Sequence, residues 1–220
     1  MTSCRSFLSL ATYNLESELQ TSIAEALPAL HRRALETMTS RSPCPVATYI
    51  LIRRSVTSSD LLDERAESVR RRFNAYYGVR RNADWRSLFY ARFQAAKASP
   101  LKSQALFEDV LTGLHTDTAR VEASFASKLV ATLRPDSPII DSVVRGWLTR
   151  HLTPPPFGGG APAAIAYYRW LENVMGEAAA SPQAQDWAHA FASAFPLAPG
   201  DEAVSAMKQL DFLIWAGADR

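Results

Sequence analysis

The sequence lacks the residue patterns of several common catalytic and cofactor sites. Its two cysteines, Cys4 and Cys44, stand far apart and have no metal-ligand spacing. The four histidines form no H-x-x-H or H-E-x-x-H pair, and neither a P-loop nor a G-x-S-x-G motif is present. We therefore expect no metal site, no disulfide framework and no cofactor.

Long apolar runs are also missing, and none reaches the length that crosses a bilayer. The short apolar run near the N-terminus is interrupted by Asn14 and Glu16, and it has neither a basic region nor a small-residue cleavage site. We therefore do not expect a signal peptide. Together with the scarcity of cysteine, these features predict a cytoplasmic protein without a membrane partner.

Lysine is scarce among the 24 basic residues, since 20 are arginines. The four lysines are Lys97, Lys102, Lys128 and Lys208. Arginine cannot lose its proton in a protein, whereas lysine can, so an amine nucleophile has only these four candidate positions. The formal net charge of +2 does not by itself indicate a nucleic-acid partner.

Apolar residues recur at helical spacing along most of the chain, which predicts a single all-α domain over residues 1–220, as one compact bundle or two helical lobes around a cleft. Residues 3–39 predict two or three helices. The β-branched run Pro45–Val56 would suit a strand, but it has no partner strand, so we favour a buried helix. Ser58–Tyr77 predicts an amphipathic helix that Ser59 or Asp60 caps.

Turn and cap residues set the expected boundaries of the later helices. Asp84 is the expected N-cap of a helix over Trp85–Lys97, and Gly113 is the expected end of a helix that begins at Ser103. Residues 153–162 hold four prolines and three glycines, which predict a loop within the domain. Three further helices are predicted over Ala163–Ala178, Gln183–Phe195 and Asp201–Ala216.

The stretch Ser124–Leu148 (SFASKLVATLRPDSPIIDSVVRGWL) has the most suggestive arrangement of polar groups. Lys128 lies at the edge of the apolar arc of a predicted helix, where partial burial would lower the pKa of its amine. An ordinary surface lysine with its stem on apolar surface explains the same pattern. Asp141 follows two isoleucines and is the expected N-cap of the next helix, a role that needs no function.

The sequence S-K, an apolar helix, a short proline-containing loop and then P-I-I-D-S-V-V resembles the core of the helix-hairpin-helix DNA glycosylase superfamily. It is most similar to the bacterial branch grouped as 8-oxoguanine glycosylase-like. The resemblance implies that Lys128 attacks the sugar C1′ of a flipped-out nucleotide and forms a Schiff base, with or without strand cleavage. It implies that Asp141 stabilises the developing positive charge on the sugar.

Two features depart from the superfamily pattern. Its hairpin usually holds two glycines, whereas residues 113–119 here contain only Gly113. A four-cysteine cluster is absent, which excludes the iron–sulfur branch.

Basic residues next to aromatic ones form a candidate DNA-binding set around the end of the helix at Tyr77. With the two serines that precede Lys128, the set is Arg70, Arg71, Arg72, Arg80, Arg81, Ser124 and Ser127. A solvated helix face is the favoured explanation of the arginines, because charged faces are common and Glu67 lies three and four residues before Arg70 and Arg71. The alternative to a glycosylase is a non-catalytic helical module that binds nucleic acid or protein, such as a defence component. That alternative predicts Lys128 in a salt bridge or in solvent, without a pocket.

Overall fold

The computed structural model describes residues 26–218, which form ten α-helices, one 3₁₀ turn and no β-strand. The all-α prediction is therefore confirmed for this part of the chain, and the helices predicted for residues 3–25 lie outside it. The helices are α1 (26–39), α2 (Pro45–Ser58), α3 (Glu67–Tyr77), α4 (Ala83–Lys97), α5 (Ser103–Thr118), α6 (Ala123–Leu133), α7 (Ser142–His151), α8 (Ala161–Ala179), α9 (Pro182–Ala194) and α10 (Ala206–Gly217). None of these described helices is both long and apolar enough to cross a membrane.

The run that begins at Pro45 is a helix, as favoured from the sequence. Proline suits its first turn because that turn needs no backbone N–H donor there. Val46, Tyr49, Ile52 and Val56 recur every three or four residues and are buried. The β-branched residues thus supply one face of α2 to the core.

The predicted helix Ser58–Tyr77 is wrong at its N-terminal end. Helix α2 continues to Ser58, and a turn and the 3₁₀ segment Glu64–Ala66 precede α3. The Asp60 carboxylate accepts a hydrogen bond from the Leu62 N–H within the turn, instead of capping a helix. The Arg70 guanidinium holds the turn closed because it donates to the Leu61 and Asp63 carbonyls at 2.7 and 2.8 Å.

Two further predicted boundaries are wrong. Asn82, not Asp84, caps α4, because its side chain accepts a hydrogen bond from the Trp85 N–H at 2.9 Å. Helix α5 continues through Gly113 to Thr118. The absence of a side chain at Gly113 lets the Arg92 guanidinium lie against the helix, where it pairs with Asp117 at 2.7 Å.

Residues 153–160 form a loop, as predicted, but Ala161 and Pro162 already belong to α8. The last predicted helix begins too early, since α10 starts at Ala206 after the Ser205 cap. One continuous apolar core extends from Leu27 in α1 to Ala218 after α10. Helix α10 contacts α7, α8 and α9, while α6 contacts α5 and α2.

Gly217 is the point at which α10 comes closest to α1. A Cβ atom built there would lie 2.8 Å from the Leu30 carbonyl oxygen, and the Gly217 carbonyl accepts a hydrogen bond from Arg33 at 3.2 Å. Backbone atoms cannot rotate away as a flexible side chain can, so only glycine fits this contact.

We expect Gly217→Ala to lower the free energy of unfolding by about 1–3 kcal/mol, because the added methyl group forces the two helices apart. Gly176→Ala in α8 is the matched control, since nothing lies within 4 Å of its added Cβ. That control should gain about 0.5–1 kcal/mol from helix propensity. Urea unfolding measures both, and equal effects of the two substitutions would contradict the close contact.

Candidate active site

Ser127 joins the helix that carries Lys128 to the segment that leads to Asp141. Its side chain is fully buried, its hydroxyl donates to the Ser124 carbonyl at 3.0 Å, and it accepts a hydrogen bond from the Ile140 N–H at 2.9 Å. Ile139 and Ile140 are buried beside it. The hydroxyl thus fixes the position at which the backbone enters α7.

Lys128 is half-buried on α6. Its amine donates a hydrogen bond to the Tyr77 carbonyl oxygen at 3.2 Å and lies 5.5 Å from the centre of the Phe125 ring. Burial lowers the pKa of the Lys128 amine, and the nearby Asp141 and Asp211 carboxylates partly oppose that shift. A lysine with a lowered pKa has more of the neutral amine that acts as a nucleophile.

Asp141 is the N-cap of α7, as predicted from the sequence. One carboxylate oxygen accepts a hydrogen bond from the Val143 N–H at 2.8 Å, and the side chain is half-buried. In the described chain Asp141 forms no ion pair with Lys128, although its charge acts on the amine. The cap holds the Asp141 carboxylate in one orientation. In that orientation the carboxylate makes no direct contact that would neutralise the charge of the Lys128 amine.

Lys128 and Asp141 line the same pocket, which has a volume of about 780 Å³. Its walls come from α2, α3, α6 and α10, and from the turn before α2. Four aromatic side chains line it: Tyr76, Tyr77, Phe212 and Trp215. A pocket of this size with aromatic walls and a few polar groups is typical of a site for a small organic ligand.

A second lysine and a second carboxylate lie in the same pocket. Lys208 and Asp211 are only 5% and 6% exposed, and they form an ion pair one turn apart on α10. The Lys208 amine also lies 4.5 Å from the centre of the Phe212 ring. Burial raises the pKa of Asp211, and the Lys208 ammonium opposes that rise. Sequence reasoning missed this pair, because the only signal was a scarce lysine three residues before an aspartate.

Arg41 and Arg72 add positive charge at the rim of the pocket. Both are exposed and line it, and the Arg41 guanidinium lies 4.9 Å from the centre of the Trp215 ring. With Lys128 and Lys208, the pocket has four cationic side chains against two carboxylates. Such a rim favours an anionic or phosphate-bearing ligand.

The remaining arginines of the predicted DNA-binding set lie away from the pocket. Arg70 is held by the internal carbonyls described above. Arg71 is exposed and pairs with Glu67 at 4.0 Å. Arg80 and Arg81 line a separate shallow depression with Arg120. Contact of this set with nucleic acid stays a prediction, with Arg72 its only arginine at the pocket among the residues described.

The two serines of the set are placed differently from the arginines. Ser124 is half-buried, and its carbonyl receives the hydrogen bond from Ser127. The buried Ser127 hydroxyl is already engaged inside the fold. This geometry gives Ser127 a role in positioning the Asp141 segment.

Helices α5 and α6 form a helical hairpin without the glycine pair. Ala119 ends α5 in the left-handed conformation, with φ of 54°, and α6 begins four residues later at Ala123. Arg81 pairs with the buried Glu122 in this connection at 2.9 Å. Arg81, in the connection between α3 and α4, therefore stabilises the turn between α5 and α6.

Comparisons of the chain with protein-family models, with curated proteins and with solved structures found no match. The resemblance to the helix-hairpin-helix glycosylases thus depends on the residues quoted above and stays a prediction. Among the described residues, no three His, Cys, Asp or Glu side chains are grouped as metal ligands.

We expect Ser127→Ala to lower the free energy of unfolding by about 1–3 kcal/mol, because it leaves the buried Ile140 N–H without an acceptor. Ser124→Ala is the matched control, since only its backbone carbonyl is used and alanine keeps that group. Chemical denaturation measures both variants. Equal stability of Ser127→Ala and the wild type would show that the hydroxyl does not hold the segment.

Proposed function

We propose that the chain is a DNA glycosylase-like base-excision enzyme that uses Lys128 as an amine nucleophile and Asp141 as its carboxylate. The observation that carries the proposal is the half-buried Lys128 amine in the same pocket as a carboxylate fixed by a helix cap. The non-catalytic alternative expects the amine in a salt bridge or in solvent. Lys128 instead donates to a backbone carbonyl at a pocket wall.

The proposed reaction begins when a nucleotide leaves the base stack and enters the pocket. The neutral Lys128 amine forms a bond to C1′ as the bond between C1′ and the base breaks, and the base departs with that electron pair and takes up a proton. The nitrogen loses a proton, and opening of the sugar ring then gives the Schiff base. The Asp141 carboxylate stabilises the positive charge that develops on the sugar.

The charges of the pocket suit this substrate class. Arg41 and Arg72 lie at its rim, where they can contact the phosphates on either side of a flipped nucleotide. Tyr76, Phe212 and Trp215 provide aromatic surface for a base. The substrate proposed here is DNA with a modified or oxidised base, and strand cleavage by elimination from the Schiff base is the accompanying lyase step.

We expect wild-type protein, incubated with duplexes that carry 8-oxoguanine, uracil or abasic sites and then treated with borohydride, to form a covalent adduct. Borohydride reduces the imine to a stable amine, so the adduct reports the Schiff base. Lys128→Ala should form none, whereas Lys102→Ala should behave as the wild type because Lys102 is exposed outside the pocket. Gel mobility and peptide mass spectrometry identify the adduct and its residue.

In the same assay, Asp141→Asn distinguishes the proposed catalytic role of the Asp141 carboxylate from its role as a helix cap. Asparagine caps helices as well as aspartate does, so the variant should keep its stability. Its rate of base release should fall by about 100-fold or more, because the charge that stabilises the sugar cation is lost. Absence of adduct and of base release on every duplex would reject the enzyme and favour the non-catalytic module.

We expect Arg72→Ala to weaken binding to a DNA duplex. The variant should also reduce the slope of log affinity against log salt concentration by about the amount that one phosphate contact contributes. Arg71→Ala is the matched control, because Arg71 is equally exposed but lies outside the pocket lining. Fluorescence anisotropy at several salt concentrations measures both. Equal losses in the two variants would place the DNA path along the whole helix face instead of at the pocket.

A further inference from the structure

The buried Lys208–Asp211 ion pair is the feature of the pocket that the proposed reaction does not use. A buried pair of charges usually stabilises a fold less than apolar side chains of the same size would. This pair lines a pocket and shares it with Lys128 and Asp141, so its charges act on the reacting groups. The position of the Lys208–Asp211 pair therefore indicates a role beyond packing.

Asp211 is a competing partner for the Lys128 amine. Its carboxylate lies close enough to act on Lys128, and a direct ion pair between the two would hold the nucleophile as an ammonium ion. Lys208 competes for this carboxylate, since its ammonium donates to one Asp211 oxygen from the same helix. Lys128 is left with the Tyr77 carbonyl as its hydrogen-bond acceptor among the described residues.

Without Asp211, Lys208 would act on the charge of the Lys128 amine in the direction opposite to that of Asp211. An unpaired ammonium beside Lys128 would repel the positive form of the amine. Asp211 neutralises that charge from three residues along α10. The two residues thus act on the Lys128 amine with opposite signs.

From this arrangement we infer that Lys208 and Asp211 are a pair of positioning residues that keeps the Lys128 amine free of a carboxylate partner and ready to attack. The inference rests on the proposed role of Lys128 as nucleophile. Among the described residues, the charged and titratable groups that face this part of the pocket are Arg41 from the turn before α2, Tyr49 from α2, Arg72, Tyr76 and Tyr77 from α3, Asp141 at the start of α7, and Lys208 and Asp211 from α10.

The test is an NMR titration of the full-length protein with ¹³C-labelled lysine side chains, in which the four lysines give few signals. Lys208→Met removes the cation that occupies Asp211, so the titration midpoint of Lys128 should rise. Asp211→Asn removes the anion and should lower the midpoint. We expect each shift to be about half a pH unit or more. The double variant should return the midpoint close to that of the wild type.

A merely structural pair would lower stability in both single variants without moving the Lys128 midpoint in opposite directions. Shifts of the same sign, or no shift in either variant, would overturn the inference. Lys208→Gln and Asp211→Ser make the same charge changes with side chains that water can hydrate, and they replace any variant that does not fold.

Adduct formation with DNA is measured beside the titration. In an active enzyme, the pH at which the adduct forms at half its maximal rate should move with the Lys128 midpoint in each variant. Opposite midpoint shifts without an adduct on any duplex would support the electrostatic role of the pair and reject the glycosylase function. An adduct with an unchanged pH profile in both single variants would support the function and reject the pair's role.

Discussion

The hydrogen bond between the Ser127 hydroxyl and the Ile140 N–H connects the two halves of the candidate site. Lys128 follows Ser127 on α6, and Asp141 follows Ile140 at the start of α7. One buried bond of 2.9 Å therefore joins the two backbone segments that carry Lys128 and Asp141. A buried N–H without an acceptor is costly, so the segment cannot shift without losing this bond. The fixed relation between the segments that carry Lys128 and Asp141 thus follows from satisfying one backbone group.

The pocket combines this fixed pair with charges from distant parts of the chain. Arg41 and Arg72 come from the first half of the sequence, whereas Lys208 and Asp211 come from its last helix. Burial lowers the pKa of Lys128, and much of the pocket wall around it comes from α3 and α10. The chemistry of the amine is therefore a property of the tertiary structure, and the close contact of α10 with α1 at Gly217 supports it indirectly.

Local sequence patterns predicted much of the fold, but they failed at helix boundaries that long-range contacts determine. The helix after Pro45 and the Asp141 cap follow from local rules, and both are confirmed. Gly113 suggested a helix end, but the Arg92–Asp117 pair lies across it and the helix continues. The start of α3 depends on Arg70 reaching back to the Leu61 carbonyl, a contact that no local pattern reveals. Asn82 and Asp84 are both residue types that cap helices well, and only the side-chain geometry in the structure shows that Asn82 is the cap.

The candidate site shows the same division between local and tertiary information. The sequence could name Lys128 and Asp141 because they lie close together in the chain, yet each has an ordinary explanation as a surface lysine or a helix cap. Neither explanation requires the two side chains to share a pocket, and the structure places them in one. Lys208 and Asp211 could not be assigned to the site from the sequence, since about eighty residues separate them from Lys128. The buried pair of opposite charges acts on the Lys128 amine with opposite signs. Burial lowers the pKa of Lys128, and the Asp141 and Asp211 carboxylates limit that shift.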